Sequence, residues 1–232
     1  MTVFLVVLIV SFALLAGALW GAYLHLGDRT EGFIVAMAGG ALIVSVMDEL
    51  IRPSTESAPL WIVVGAVAAG AVVFTGLDVW VKRAVSGAGG FGLLLAVTLD
   101  GIPENLALGT ALIGAGPLEV AALAGSIFLS NLPEAAGGAR TMTSDGMPKA
   151  KAVALWAATA TLLSAAALGG YFGLESASDE WIAAIRCFAA GAVTASLATE
   201  VFPQAFREDR YWTGIAVTAG LLMALLLGQL GG

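Results

Sequence analysis

The sequence predicts an all-α polytopic membrane protein with eight transmembrane helices in a 3+2+3 inverted-repeat arrangement. Three observations lead to this prediction. Of the 232 residues, 59% are hydrophobic and only 12% are charged, with a mean hydropathy of +0.94, whereas a soluble domain has about 25% charged residues. The chain divides into eight apolar stretches of about 20 residues, the length that crosses a bilayer. Two pairs of motifs recur in stretches that would run in opposite directions.

Short connections join the eight predicted spans and leave no room for a soluble domain. We therefore expect residues 1–232 to form a single transmembrane domain. The first stretch has neither the basic flank nor the cleavage site of a signal peptide, so we expect it to be retained as a span. The predicted spans are residues 3–26, 32–51, 60–81, 91–112, 118–139, 150–173, 181–202 and 211–230.

The basic residues predict the orientation. With the amino terminus outside, eight of the ten Lys and Arg residues fall in cytoplasmic loops and only Arg52 and Arg186 fall outside. This bias follows the positive-inside rule, so we expect both termini outside. We expect a multi-pass protein of a cell membrane, specifically a prokaryotic inner membrane. The cytoplasmic set is Arg29, Lys82, Arg83, Arg140, Lys149, Lys151, Arg207 and Arg210.

Several classes of function are disfavoured. A net charge of −7 without basic stripes argues against a nucleic-acid partner. Cys187 is the only cysteine, so neither an internal disulfide nor a cysteine metal cluster is available. His25, the only histidine, is expected to lie at the membrane interface rather than to bind a ligand. No nucleotide-binding motif supports ATP-driven transport.

Two proline-broken acidic motifs lie in the fourth and fifth predicted spans. D-G-I-P-E-N runs from Asp100 to Asn105, and S-N-L-P-E-A runs from Ser130 to Ala135. Each places two polar side chains four residues apart, Asp100 with Glu104 and Ser130 with Glu134, on one helix face. An ionised carboxylate inside a bilayer costs roughly 2.5–3.5 kcal/mol, so these acids call for a functional explanation.

The prolines of these motifs add further oxygen donors. Pro103 and Pro133 lack the N–H that would bond four residues back, which leaves the carbonyls of Leu99 and Leu129 available. Carboxylate, amide and carbonyl oxygens at mid-membrane suit a divalent cation. The alternative is that Glu104 and Glu134 are protonated and hydrogen-bonded inside the bundle, but neutral acids would not need the extra acceptors.

A second motif pair supports the inverted repeat. Gly40-Ala41-x3-Ser45-x3-Glu49 in the second span matches Gly191-Ala192-x3-Ser196-x3-Glu200 in the seventh, and these spans are antiparallel. The alternative is that both are packing helices with small-residue faces, and only the Ser-x3-Glu part argues against it. Asp78 and Glu119, near span ends, are expected to be interfacial.

At the two proline motifs the chain resembles the ZIP (Zrt/Irt-like) family of divalent metal transporters. That family carries H-N-x-P-E-G in its fourth span and H-x-x-P-E in its fifth. The order of eight spans, the outward termini and the 3+2+3 repeat are similar to that family over the whole chain. The resemblance implies a single transporter domain that moves Zn²⁺, Fe²⁺, Mn²⁺, Co²⁺ or Cd²⁺ as its substrate. It implies no enzymatic activity and no organic cofactor.

The resemblance also implies a set of metal-site residues. Glu104 and Glu134 match the glutamates that bridge metals in the central site, and Asp100 matches the first motif histidine. Glu49 and Glu200 would lie near the outer and inner ends of the pathway. The remaining matched positions are Asn105, which replaces the motif glycine, and Ser130 and Asn131, one turn before the second glutamate.

This sequence departs from the family in lacking both motif histidines and the histidine-rich loop, here residues 82–90. Carboxylate and amide ligands suit Mn²⁺, Mg²⁺ or Ca²⁺ better than Zn²⁺, although the general affinity order still favours zinc. Two other functions stay open: an intramembrane enzyme using Asp100 and Glu104 as acid and base, and a non-transporting metal sensor. A measurement of metal flux into sealed vesicles would distinguish these two functions from transport.

The lipid bilayer is an expected partner. Helix faces made of small residues would also permit a homodimer, which the sequence does not decide.

Overall fold

The protein is all-helical in the computed structural model, which describes residues 2–24, 27–84, 89–116 and 118–231. Those ranges contain eight helices and no strand, so the predicted all-helical fold with eight helices is confirmed. His25 lies outside the described residues. The helices are α1 (Thr2–Tyr23), α2 (Asp28–Ser57), α3 (Leu60–Ala84), α4 (Gly89–Ala111), α5 (Ala121–Ser144), α6 (Lys149–Leu174), α7 (Asp179–Glu208) and α8 (Thr213–Gly231).

Six of these helices, namely α1, α2, α3, α4, α6 and α7, are long and apolar enough to cross a membrane. In α8 the apolar segment is shorter, Thr213–Gln229. Polar residues lower the hydropathy of α5, which packs against α1, α2, α4, α6 and α8 and is therefore surrounded largely by protein. A helix in that position does not need an apolar face toward lipid. The set is compatible with a multi-pass membrane protein.

Two predicted spans continue further than expected. The second was predicted over 32–51 and the seventh over 181–202, whereas the helices reach Asp28–Ser57 and Asp179–Glu208. Hydropathy detects only the apolar part of a helix. The polar ends stay helical because protein groups satisfy them, as where Arg140 of α5 donates to Asp28 at 2.9 Å.

The helices form two groups by their packing. In the first group α1 packs on α5 and α6, and α4 packs on α5 and α6. In the second group α2 packs on α8, α3 packs on α7, and α2 and α7 contact each other. The groups meet where α2 contacts α5 and where α4 contacts α7. The interface between the groups therefore runs along α4 and α5, the helices that carry the proline motifs.

Glycines allow the closest helix contacts in the second group. A Cβ added at any of four glycines would overlap a backbone carbonyl oxygen of the neighbouring helix. Two of these contacts join α2 to α8, and two join α7 to α3. The contacts are Gly40 with Val217, Gly220 with Met37, Gly191 with Val67, and Gly70 with Phe188.

Both α2 and α7 contain a π-helical turn that the sequence analysis did not predict. The turns are Val46–Ile51 and Leu197–Val201, and they contain Glu49 and Glu200. A proline follows each turn, Pro53 and Pro203, in the first turn of the resumed α-helix. Proline cannot bond back to the carbonyl four residues earlier, and a widened turn accommodates this loss. Such turns are frequent at functional sites.

Candidate functional site

The two proline motifs lie side by side near the centre of the bundle. Pro103 is inside α4 and Pro133 is inside α5, and the two helices pack against each other. Because each proline lacks an N–H, the carbonyls of Leu99 and Leu129 lose their usual partners in the helix. The helices thus bring two backbone acceptors to the same region as the motif side chains.

Most of the polar motif residues are buried. Glu104 is 4% exposed, while Asn105, Ser130 and Asn131 are each 1% exposed. Asp100 and Glu134 are partly buried. Burying polar groups is unfavourable unless partners compensate them, so this concentration needs either internal hydrogen bonds or a ligand.

Hydrogen bonds satisfy only some of these groups. The Ser130 hydroxyl donates to Oε1 of Glu134 at 2.6 Å, one helical turn away. The Asn105 amide donates to the carbonyl of Gly101 in its own helix at 2.9 Å, rather than across the helix interface. Its Nδ2 is therefore engaged, and Oδ1 is the atom that Asn105 could offer to a cation.

The carboxylates of the two motifs interact electrostatically as one cluster. Glu104 lies within range of Glu134 and Asp100. Asp100 lies within range of Glu134 and also of Glu200 and Asp78. Like charges in a buried site repel, and a divalent cation between them would remove that repulsion. In the described ranges no three His, Cys, Asp or Glu side chains come close enough together to form a metal-binding group. These acids therefore lie near one another but do not surround one common point.

Three atoms near this cluster are buried and have no hydrogen-bond partner. They are Oδ1 of Asp100, Nδ2 of Asn131 and Oγ of Ser196, and Ser196 lies beside Asp100. An unsatisfied buried polar group costs about 1–3 kcal/mol. The Asn131 amide could equally present its oxygen, because the two ends of an amide are exchanged by a rotation of the side chain. These three groups together could complete the coordination of a cation or of its waters.

Glu49 lies apart from the central cluster. Its Oε1 accepts a hydrogen bond from the backbone N–H of Leu123, at the start of α5, at 2.9 Å. Leu123 precedes Glu134 by eleven residues, which is about 16 Å along a helix. Glu49 also lines a cavity of about 290 Å³, together with Ser45, Asp48 and Glu119.

Glu200 lies toward the opposite end of the bundle, where it pairs with Lys82 at the end of α3. Lys82 Nζ is also 3.0 Å from Oδ2 of Asp78. Asp78 is only 4% exposed, so it is buried against protein, which the expectation of an interfacial position did not include. Its position four residues before Lys82 was the available signal, because such a pair meets on one helix face.

The sequence analysis also missed Glu31. This residue is 3% exposed, lies 3.5 Å from Arg140, and is within electrostatic range of Glu134. The predicted second span began at residue 32 and so left Glu31 in a loop. The acidic region therefore extends beyond the proline motifs toward the first turn of α2.

No protein-family model matches the chain, and a search of the curated proteins finds no significant match. The resemblance to ZIP transporters therefore rests on the motifs and the helix order alone.

The chemistry of the site follows from its donor types. The cluster offers carboxylate, amide, hydroxyl and backbone carbonyl oxygens, which are hard ligands. Such ligands favour Mg²⁺, Ca²⁺ or Mn²⁺, and Fe²⁺ tolerates them. Donors of these types are suited to a divalent cation.

Proposed function

We propose that this protein is a secondary transporter of divalent metal ions, related to the ZIP transporters, with its central site between α4 and α5. The observation that carries the proposal is the pairing of Glu104 and Glu134. Each follows a proline at the matched position of its helix, and both belong to one buried acidic cluster with Asp100. Acids gathered inside a membrane bundle mark an ion or proton pathway, and the oxygen donors beside them favour a divalent cation.

The proposal includes a 3+2+3 inverted repeat, in which α1–α3 are related to α6–α8 and α4 to α5. The glycine contacts support it. The contact of Gly40 with Val217 corresponds to the contact of Gly191 with Val67. Gly191 lies 151 residues after Gly40 in the sequence, and Val217 lies 150 residues after Val67. Met37 with Gly220 and Phe188 with Gly70 give the same two offsets. Repeated helix packing at constant offsets is what an internal repeat produces.

The other half of the bundle supports the same relationship. Gly21 of α1 packs on the carbonyl of Ala136 in α5, and Gly170 of α6 packs on the carbonyl of Leu106 in α4. Ala136 and Leu106 each lie three residues beyond the proline of their motif. The two π-helical turns add a third correspondence, between α2 and α7.

In the proposed pathway Glu49 forms the outer approach and Glu200 the inner approach. Metal would enter through the cavity beside Glu49, bind among Asp100, Glu104 and Glu134, and leave past Glu200. Alternating exposure would come from movement of one helix group against the other, since α4 and α5 lie along their interface. The substrate is a divalent ion of the set Zn²⁺, Fe²⁺, Mn²⁺, Co²⁺ and Cd²⁺.

The test is metal flux into sealed proteoliposomes containing the purified protein. We expect uptake of at least one of the five ions, above protein-free liposomes, and loss of that uptake in Glu104→Gln. Glu175→Gln is the matched control, because Glu175 is an exposed glutamate that follows α6. Absence of flux for all five ions, with the protein correctly inserted, would contradict the proposal and favour an enzyme or a sensor.

A further inference from the structure

The ammonium group of Lys82 lies between two carboxylates that belong to different helices. Lys82 is in the last turn of α3, and its Nζ contacts Oε1 of Glu200 in α7 and lies 3.0 Å from Oδ2 of Asp78. The side chains of Asp78 and Glu200 are 6% and 23% exposed, whereas that of Lys82 is 47% exposed. Lys82 therefore reaches inward from the edge of the bundle, and one positive charge faces two negative ones.

These two carboxylates are connected to the central cluster. Asp78 and Glu200 interact with each other, and both lie within electrostatic range of Asp100. Asp100 in turn interacts with Glu134 and Glu104. A row of acids thus runs from the central site to Glu200, and the Lys82 ammonium is the cation at its end.

Helix packing does not require this ion pair. The close contacts of Gly70 and Gly191 already hold α3 against α7, and Val63 and Phe74 of α3 are buried. An ion pair in which one partner is half exposed contributes little to stability. The position of Lys82 is better explained by the charge of Glu200 than by the need to join two helices.

The other end of the proposed pathway has no such cation at the equivalent position. The 150-residue offset between α3 and α8 relates Asp78 to Gly228, which lines the cavity that contains Glu49. The same offset pairs Lys82 in sequence with another glycine, Gly232. Glu49 instead accepts a backbone N–H from Leu123. The proposed repeat is therefore asymmetric in charge: Lys82 pairs with Glu200, whereas Arg52, which lines the cavity beside Glu49, pairs with Asp48 at 2.9 Å.

We propose that Lys82 is a tethered counter-cation that occupies Glu200 in the absence of metal and is displaced when a divalent ion reaches that carboxylate. This inference rests on the proposed function and adds a residue to its pathway. The ammonium compensates Glu200 between transport events, and it returns to Glu200 when the metal is released. A flexible lysine suits this role because its charge is a point charge on a long stem.

The direct test is the reactivity of the Lys82 amine. Purified protein is treated with a water-soluble N-hydroxysuccinimide ester of acetate, and acetylation is followed by mass spectrometry with exposed Lys151 as the internal reference. Without metal we expect Lys82 to react about fivefold more slowly than Lys151, as for an amine held in an ion pair. Mn²⁺ or Cd²⁺ should bring the two rates together, whereas Na⁺ at the same ionic strength should not. In Glu200→Gln, Lys82 keeps only Asp78 as a partner, so it should react faster than in the wild type and its rate should no longer respond to metal.

A flux measurement adds a second test with a matched control. Lys82→Gln should lower the metal concentration for half-maximal uptake about fivefold, because the competing cation is gone, and Lys82→Arg should stay near wild type. Arg83→Gln removes the same charge from the adjacent exposed position and should leave this concentration unchanged.

The two proposals fail in different ways. A Lys82 reaction rate that no metal changes, or that responds to metal in Glu200→Gln as strongly as in the wild type, overturns the counter-cation role even if flux is normal. Metal-dependent reactivity in a protein without flux supports the counter-cation role and overturns transport.

Discussion

Glu49 and Glu200 occupy corresponding positions in two π-helical turns, Val46–Ile51 of α2 and Leu197–Val201 of α7. Each glutamate lies four residues after a buried serine, Ser45 or Ser196, whose hydroxyl has no hydrogen-bond partner. A π turn widens the helix and pairs N–H groups with the carbonyl five residues back, and the proline that follows each turn has no N–H to donate to such a carbonyl. Each glutamate is therefore accompanied by additional oxygen acceptors, as the central glutamates are by their prolines.

The neighbours of these two glutamates differ. Glu49 accepts a backbone N–H and lines a cavity, whereas Glu200 pairs with Lys82. The two π-helical turns are therefore alike in backbone conformation, but the charges around their glutamates are different. In the proposed pathway that difference would let the two ends bind a divalent ion with different affinities.

Replacing Glu104 or Glu134 by Gln should reduce metal uptake at least about tenfold, because even residues that merely orient metal ligands contribute 10–100-fold. Gln keeps the size of the side chain and removes its charge, so the protein should stay folded. Proteoliposome flux and size-exclusion elution in detergent are the measurements, with Glu175→Gln as the control. Uptake at the wild-type rate in either variant would exclude the assigned central site.

Asp100→His should shift selectivity toward Zn²⁺ relative to Mn²⁺, because imidazole replaces a hard oxygen ligand. The measurement is uptake from equimolar mixtures of the two ions. Asp179→His is the control, since Asp179 is an exposed residue in the first turn of α7. If the ratio of Zn²⁺ to Mn²⁺ uptake is unchanged or falls, Asp100 does not contact the metal.

Hydropathy was enough to locate the eight helices, although only six of them are long and apolar enough to cross a bilayer in the described residues. It did not predict the π turns. Those depend on how Pro53 and Pro203 disturb the hydrogen bonds of the preceding turn, and the sequence signal was only a proline three or four residues after each glutamate.

The spacing of polar residues along the sequence also predicted part of the candidate site. Ser130 and Glu134, four residues apart, are hydrogen-bonded, as their common helix face suggested. The contributions of Asp78 and Glu31 were not predicted, because they reach the cluster through contacts between helices distant in sequence. A single sequence carries no direct information on such contacts.

Gly40→Ala and Gly191→Ala should destabilise the protein by similar amounts, about 1–3 kcal/mol each, the usual cost of overpacking. In both variants the new Cβ would overlap a backbone carbonyl, of Val217 or of Val67, that cannot easily move. Thermal unfolding in detergent is the measurement. Gly65→Ala in α3 is the control, because a Cβ there meets no atom within 4 Å. A neutral effect at one of the two glycines would argue against the proposed repeat.

Glu49 and Glu200 should be reached from opposite sides of the membrane. Glu49 contacts the start of α5 and Glu200 contacts the end of α3, and α4 crosses the bundle between these two points in the chain. Glu49→Gln should therefore weaken uptake at low external metal more than it lowers the maximal rate, because a charge at the entrance concentrates cations before they bind. Glu200→Gln should mainly lower the maximal rate, because it acts on release.

Cysteine labelling tests this assignment independently of flux. Glu49→Cys and Glu200→Cys are made separately in a Cys187→Ser background, which removes the only native thiol. An impermeant thiol reagent added to sealed vesicles of known orientation should label Cys at position 49 from outside and at position 200 only after the vesicles are opened. Labelling of both from the same side would mean that α2 and α7 do not form the two ends of one pathway. In that case the matched Ser-x3-Glu patterns would reflect helix packing, and the inner and outer approaches would have to be sought elsewhere along α4 and α5.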